Sequence, residues 1–347
     1  GDGIGPEISE VSKKILLKLS EKFNFNIEIE EELFGGIAFE KFEEPAPKIT
    51  LDKCKSSEAV LLACVGDSKY DRLPRELRPE SGLLKLRSEL NLFANIRPVK
   101  IRKSLVETSS LKKEIIKDVD LVVVRELTSG IYFGEPRGII NINNKERAFN
   151  TMVYDTDEIE RITMVAIQIA KKRNNKICSV DKANVLEVSQ LWRKTVENLA
   201  NDYKEINLSN MYVDNAAMQL IRNPSQFDVI LTNNIFGDIL SDLAAMLTGS
   251  IGMLPSASLN NVGPGVFEPV HGSAPDIAGK NVANPIAMAL STAMLLRIGL
   301  NQIPAADNLE LAIDKVLSKG FRTSDLYDSQ SEIISCSKMG EKIIEEI

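Results

Sequence analysis

Residues 228–247 read DVILTNNIFGDILSDLAAML, and two structural periods meet inside them. The run Asp228–Thr232 is short, apolar and closed by polar residues, as a strand buried on both faces of a parallel sheet should be. From Asn234 onward Ile239, Leu243 and Met246 recur at spacings of three and four, the stripe of an amphipathic helix, while Asp238 and Asp242 fall on another face. A buried strand feeding such a helix is half of a βαβ unit. The same alternation extends through the chain. Short apolar runs lie at Ala59–Gly66 (AVLLACVG), Asp120–Arg125 (DLVVVR) and Ile177–Asp181 (ICSVD), with amphipathic stretches such as Glu158–Lys172 and Leu186–Leu199 between them. The expected class is α/β with a largely parallel sheet. In such sheets ligands gather past the carboxyl ends of strands, which points to Gly66, Arg125, Lys182 and the segment 233–238.

Length and composition narrow the function. A chain of 347 residues is sized for two domains, and 44% hydrophobic with 26% charged residues is ordinary globular material. The net charge of −7 argues against a general nucleic-acid or anionic-membrane binder, whose affinity needs excess positive charge. His271 is the single histidine, so a multi-histidine zinc site is excluded. Cys54, Cys64, Cys178 and Cys336 have no CxxC spacing, and scattered thiols of this kind suit a cytoplasmic protein. The uncharged stretch 281–296 is interrupted by Asn284 and Pro285 and reads as a loop and a buried helix rather than a membrane span. At the start, GDGIGPE resembles a turn feeding a helix, with Pro6 near the first helical position and Glu7 in the first turn. A strand is expected ahead of that turn, outside this chain.

Four sets of side chains carry candidate chemistry. Asp238 and Asp242 repel at their spacing unless the helix dipole or a cation relieves them; as oxygen ligands they would select Mg²⁺ or Mn²⁺. Asp214 follows a strand-like segment and could add a third carboxylate or act as a helix N-cap. Arg87, Arg97 and Arg125 close apolar stretches, and converging guanidinium forks would suit a di- or tricarboxylate. Tyr132, in a glycine-bracketed loop, is a candidate proton donor, and Lys182, at the end of ICSVDK, a candidate base. No G-x-G-x-x-G follows a strand, so a Rossmann site is not expected. The long Gly- and Pro-rich loop from Val262 to Asn284 is the alternative cofactor site. There His271 and Gly272 could meet a base and phosphates, and Asp276 could accept from a ribose 2′-hydroxyl while repelling a 2′-phosphate, which favours NAD over NADP.

These segments, GDGIGPE, RELTSGIYFGEPRG, SVDKANVLEVSQLWR, NIFGDILSDLAAMLTGSIGMLPSASL and FEPVHGSAPDIAGKNVANP, resemble the β-decarboxylating dehydrogenases over essentially the whole chain. Gly130–Gly134 (GIYFG) resembles the isopropylmalate branch, whereas isocitrate enzymes carry a serine-containing substrate motif. The resemblance implies a two-domain fold that is not a Rossmann fold: a discontinuous cofactor-binding domain of residues 1–95 and 250–347, and a middle domain, 96–249, for substrate, metal and dimerisation. It implies that Arg87, Arg97 and Arg125 bind substrate carboxylates, that Glu80, Leu83 and Leu84 face the isopropyl group, and that Tyr132 and Lys182 relay protons. Asp214, Asp238 and Asp242 would hold the metal. A homodimer is implied as well, because in the family Lys182 and Asp214 reach into the neighbouring subunit's site. NAD would be met by Ile4, Gly252, Glu268, His271, Gly272, Ser273, Ala274, Pro275, Asp276, Ile277 and Asn284, with Asn184 near the nicotinamide. The implied reaction is NAD-dependent oxidation and decarboxylation of 3-isopropylmalate in leucine biosynthesis. Relatives acting on isocitrate, D-malate or tartrate are the alternative, and a silent regulatory subunit would lack some of these residues.

Overall fold

A computed structural model describes residues 1–347. The chain divides into two compact units, one of Gly1–Leu92, Ile101–Lys117 and Ala245–Ile347, the other of Phe93–Lys100 and Asp118–Ala244. Both are α/β.

In the first unit the strand Ala59–Leu61 runs parallel to Gly265–Pro269, which pairs antiparallel with Pro255–Leu259. Pro6 stands in the first turn of the helix Gly5–Phe23, where its missing N–H costs nothing, and Ile8, Val11, Ile15 and Leu19 bury one face. Those residues join Ile286, Ala289, Leu309, Ile313, Met339 and Ile343 around Phe267. The helix Ile286–Met294 is buried almost all round, as its apolar composition dictates, and the hydroxyls of its two polar residues, Ser291 and Thr292, donate back to Ala287 O and Met288 O. The segment Ile101–Lys117, expected in the middle domain, belongs to this unit. Leu105 enters its core, Arg102 ion-pairs with Asp314, and Ser104 O accepts from Arg322 Nη2 at 2.8 Å. A second departure concerns the run at 59–66, which forms a strand only to Leu61. Beyond that point the backbone turns to another partner: Cys64 O accepts from Asp2 N at 2.8 Å, so the apolar tail buries against the N-terminal turn.

The second unit orders its strands as Ala94–Lys100, Asp120–Glu126, Val229–Thr232, Lys176–Asp181 and Asn207–Tyr212, with only the first pair antiparallel. The helix Thr156–Lys171 buries Ile159, Ile162, Ala166, Ile167 and Ala170, and Glu187–Ala200 buries Trp192 and Val196, so both follow the 3.6-residue period. On Asn234–Ala245 the buried side chains include Asn234, Leu240, Ser241, Ala244 and Ala245, while Ile239, and Met246 just past the helix end, are 59% and 49% exposed. Two members of the apolar stripe therefore face outward in a single chain, and the third, Leu243, is half-buried. The hairpin Gly138–Ile142/Lys145–Phe149 turns through Asn143 and Asn144 at φ 51° and 62°, the left-handed pair that matches strand twist, and it exposes Ile139, Ile140 and Ile142. No helix of the chain is long and apolar enough to cross a membrane.

Candidate active site

The helix Asn234–Ala245 follows the strand Val229–Thr232 almost directly, since Asn233 Oδ1 caps it by accepting from Phe236 N at 3.0 Å. That junction carries Asp238 and Asp242, one turn apart, to the carboxyl end of the sheet. Register supplies the cations. Asn95 pairs with Arg125 and Arg97 lies two residues on, so all three side chains share one face. Arg125 is 1% exposed, and its Nη1 reaches Asp238 Oδ1 at 2.5 Å. Arg97 Nη2 stands 3.6 Å from the same oxygen, and its Nη1 donates to Asp242 Oδ1 at 3.3 Å and Ser241 Oγ at 2.7 Å. Asn95 Oδ1 fixes the other edge of that guanidinium by accepting from Nε at 2.7 Å. Burial pushes the Asp242 carboxyl up; Arg97 opposes this and the like charge of Asp238 reinforces it. Close approach makes Gly237 obligatory, because a Cβ there would lie 2.6 Å from Arg125 Cγ.

Tyr132 ends a short helical turn, Gly130–Tyr132, and its hydroxyl donates to Asp238 Oδ2 at 2.8 Å. Glu126, fully buried, holds the start of that loop. It accepts from Thr128 N and Ser129 N, each at 3.0 Å, and pairs with Arg161 at 3.3 Å. Burial raises its carboxyl above the usual range, with the Thr128 N–H opposing. Glu126 and Asn95 carry no motif that marks them in the sequence. The available signal was a polar residue ending or beginning an otherwise apolar strand.

Lys182 and Asp214 form a separate pair in the same unit, with Nζ 2.7 Å from Oδ1. That ion pair holds the Asp214 carboxyl below its ordinary value. Asp214 lies in the first turn of Val213–Arg222, whose N-cap is Tyr212, so the capping role weighed for it is not the one observed. Buried Asp181 anchors the strand end, bound to Arg193 Nε and Nη2 at 2.9 and 2.8 Å and to Ala183 N at 2.9 Å. Asn184 follows in the exposed turn. One chain gathers no group of three His, Cys, Asp or Glu side chains fit to hold a metal, so Asp214 does not join Asp238 and Asp242 within it.

In the first unit Glu80, Leu83, Leu84 and Arg87 lie on one face of the helix Pro79–Glu89, at spacings of three and four. Arg87 Nη2 pairs with Glu268 Oε1 at 3.2 Å, both largely buried, and Arg87 Nε is buried without a partner. The N-terminal turn and the long loop meet backbone to backbone. Ile4 N donates to Ser273 O at 2.8 Å, and Ser273 Oγ to Gly66 O at 2.5 Å. Gly3 has φ 54°, and a Cβ on it would sit 2.0 Å from Ser273 O, so only glycine permits the contact. Asp2, unmarked by the sequence reading, ties this corner by accepting from Gly36 N and Gly66 N at 2.8 Å and Ile37 N at 2.9 Å. His271 is buried, which lowers its pKa; Nδ1 lies 2.9 Å from Gly272 O and Nε2 has no partner. Ala274 and Ile277 are half-buried, whereas Gly272, Pro275 and Asp276 are exposed. Asn284 Oδ1 accepts from Ile286 N, and its Nδ2 donates to Asp325 Oδ2, each at 3.0 Å. Beside it, Gly252 N donates to Ser250 Oγ at 3.0 Å.

This fold, with arginines and carboxylates at its strand ends, defines a dehydrogenase of the isocitrate and isopropylmalate type. The profile of the family described as isocitrate/isopropylmalate dehydrogenase matches residues 1–343, and the chain belongs to that family. Its relatives include the 3-isopropylmalate dehydrogenase of Prochlorococcus marinus strain MIT 9312, 76% identical over 347 residues that cover 100% of this chain and 97% of that protein. The 3-isopropylmalate dehydrogenase of Prochlorococcus marinus subsp. pastoris strain CCMP1986 is 73% identical over the same shares of both chains. Among solved structures, isocitrate dehydrogenase from Methylococcus capsulatus superposes with a TM-score of 0.89 at 33% identity, covering 100% of this chain and 97% of that one.

Proposed function

We propose that the protein oxidises and decarboxylates 3-isopropylmalate to 4-methyl-2-oxopentanoate and CO₂ with reduction of NAD⁺, in leucine biosynthesis. The observation that carries this reading is the Asp238 carboxylate, held by Arg125, Arg97 and Tyr132 beside Asp242. Identity supports the substrate: relatives at 76% and 73% carry the isopropylmalate name, against 33% for the isocitrate enzyme. Leu83 and Leu84 support it too, as half-buried aliphatic side chains one turn before Arg87 that would favour an alkyl group.

The residues fit the implied groups. Asp238 and Asp242 offer hard oxygens whose mutual repulsion a cation would relieve, and Asp214 of a second copy would complete a three-carboxylate set. For NAD, the unpartnered His271 Nε2 and the open space at Gly272, where a Cβ would meet nothing within 4 Å, suit a planar base and its phosphates. Asp276, which is exposed, would accept from a ribose hydroxyl. When bound, Mg²⁺ or Mn²⁺ would polarise the substrate's hydroxyl oxygen and NAD⁺ would take a hydride from the carbon that bears it.

The chain's own residues do the rest. Arg87, Arg97 and Arg125 bind and orient the substrate carboxylates, and Lys182 removes the hydroxyl proton, directly or through water. Tyr132 returns a proton to the carbon that loses CO₂. Lys182 and Asp214 are assigned to the partner's site in a homodimer. Apolar side chains left uncovered at Met218, Ile239 and Met246, 60%, 59% and 49% exposed, support that assembly. A cytoplasmic location follows from the same reading. Comparing NADH formation on 3-isopropylmalate, isocitrate and D-malate tests the substrate, with isopropylmalate expected to dominate.

A further inference from the structure

We infer that Asn234 is a positioning residue that sets the Arg125 guanidinium and the Tyr132 loop at once; the inference rests on the role proposed for those two side chains. Asn234 is 1% exposed, and every hydrogen-bonding direction of its amide is used. Oδ1 accepts from Arg125 Nε at 3.1 Å and Nη2 at 2.7 Å, which directs the remaining edge, Nη1, toward Asp238. Nδ2 donates to Leu127 O and Ser129 O, each at 3.0 Å. The amide cannot be turned over, because the flip would aim NH₂ at the guanidinium and oxygen at two carbonyls. Its backbone N–H, an orphan donor at the first position of the helix, goes to the Tyr154 hydroxyl at 2.9 Å.

Each contact has a consequence for the site. A guanidinium held at Nε and Nη2 has lost its rotation about the last side-chain bonds, so its carboxylate-facing edge is set before substrate arrives. The two carbonyls that Asn234 grips flank Thr128, directly before the Gly130–Tyr132 turn, while Glu126 grips the N–H groups of Thr128 and Ser129. One side chain thus fixes the distance between the candidate acid and the candidate carboxylate anchor. Only an amide has the required acceptor and two donors at this length.

Two variants of the full chain test this. Asn234→Ala should raise KM for 3-isopropylmalate by about tenfold or more and leave KM for NAD⁺ within about twofold, a split that general loosening would not produce. Asn234→Asp keeps the shape and the acceptor for Arg125 but loses both donors; it should lower kcat by about tenfold and raise amide hydrogen exchange across residues 127–134. The exchange measurement needs no turnover. It therefore separates failure of this inference from failure of the proposed reaction, which an inactive wild-type protein would reveal. Wild-type exchange in Asn234→Asp overturns the inference, as do substrate kinetics at wild-type level in either variant or KM values for substrate and NAD⁺ that shift together.

Discussion

The Tyr132 hydroxyl donates to Asp238 Oδ2 at 2.8 Å, while Arg125 Nη1 holds Oδ1 of the same carboxylate at 2.5 Å. One carboxylate therefore links the proposed proton donor to the proposed substrate anchor. Tyr132→Phe removes the proton and keeps the ring. It is expected to impair the second half-reaction more than hydride transfer, so that NADH formation in the first turnover outruns release of the protonated 2-oxo acid product. Equal loss of both half-reactions would remove Tyr132 from the acid role.

Gly237 faces the stem of Arg125 so closely that a methyl group there would lie 2.6 Å from Cγ and 2.7 Å from Cβ. Gly237→Ala should displace the guanidinium, raise KM for the substrate and cost about 1–3 kcal/mol of stability by overpacking. Steady-state kinetics and denaturant unfolding check the two effects, and an unaltered KM would contradict the close approach.

The lone histidine gives a clean pH signature. Burial holds the His271 pKa below its ordinary value, with the Gly272 carbonyl and Asp325 opposing. The unfolded chain therefore binds a proton near pH 6.5 that the folded chain does not, and stability rises with pH through that window and is lost as pH falls. His271→Asn should reduce the loss of stability between pH 7.5 and pH 5.5 by the histidine's share. Urea unfolding at several pH values measures it, and an unchanged slope would show that the ring is solvated.

Much of this architecture was legible because it depends on local periods. The strand and helix within residues 228–247, the buried helix in 281–296 and the proline-led helix at the start all follow from apolar spacing and chain-breaking residues. What escaped depends on partners far along the chain. The run at 59–66 gave no sign that its end would bond Asp2, nor did Glu126 announce the loop it grips. The apolar stripe of Ile239, Leu243 and Met246 was legible, but periodicity alone does not say which of its members the chain leaves exposed. Asn234 lay in the strand-end region marked at the start, but its task is set by Arg125, 109 positions away.

Turnover of 3-isopropylmalate with NAD⁺ is proposed to need a divalent cation held by Asp238, Asp242 and a partner's carboxylate. NADH formation from 3-isopropylmalate, followed with Mg²⁺ and again after chelation, tests it most directly. Turnover that needs Mg²⁺ and falls by about a hundredfold or more in Asp242→Asn is the predicted result. Faster turnover of isocitrate or D-malate, or full activity without the cation, would contradict it.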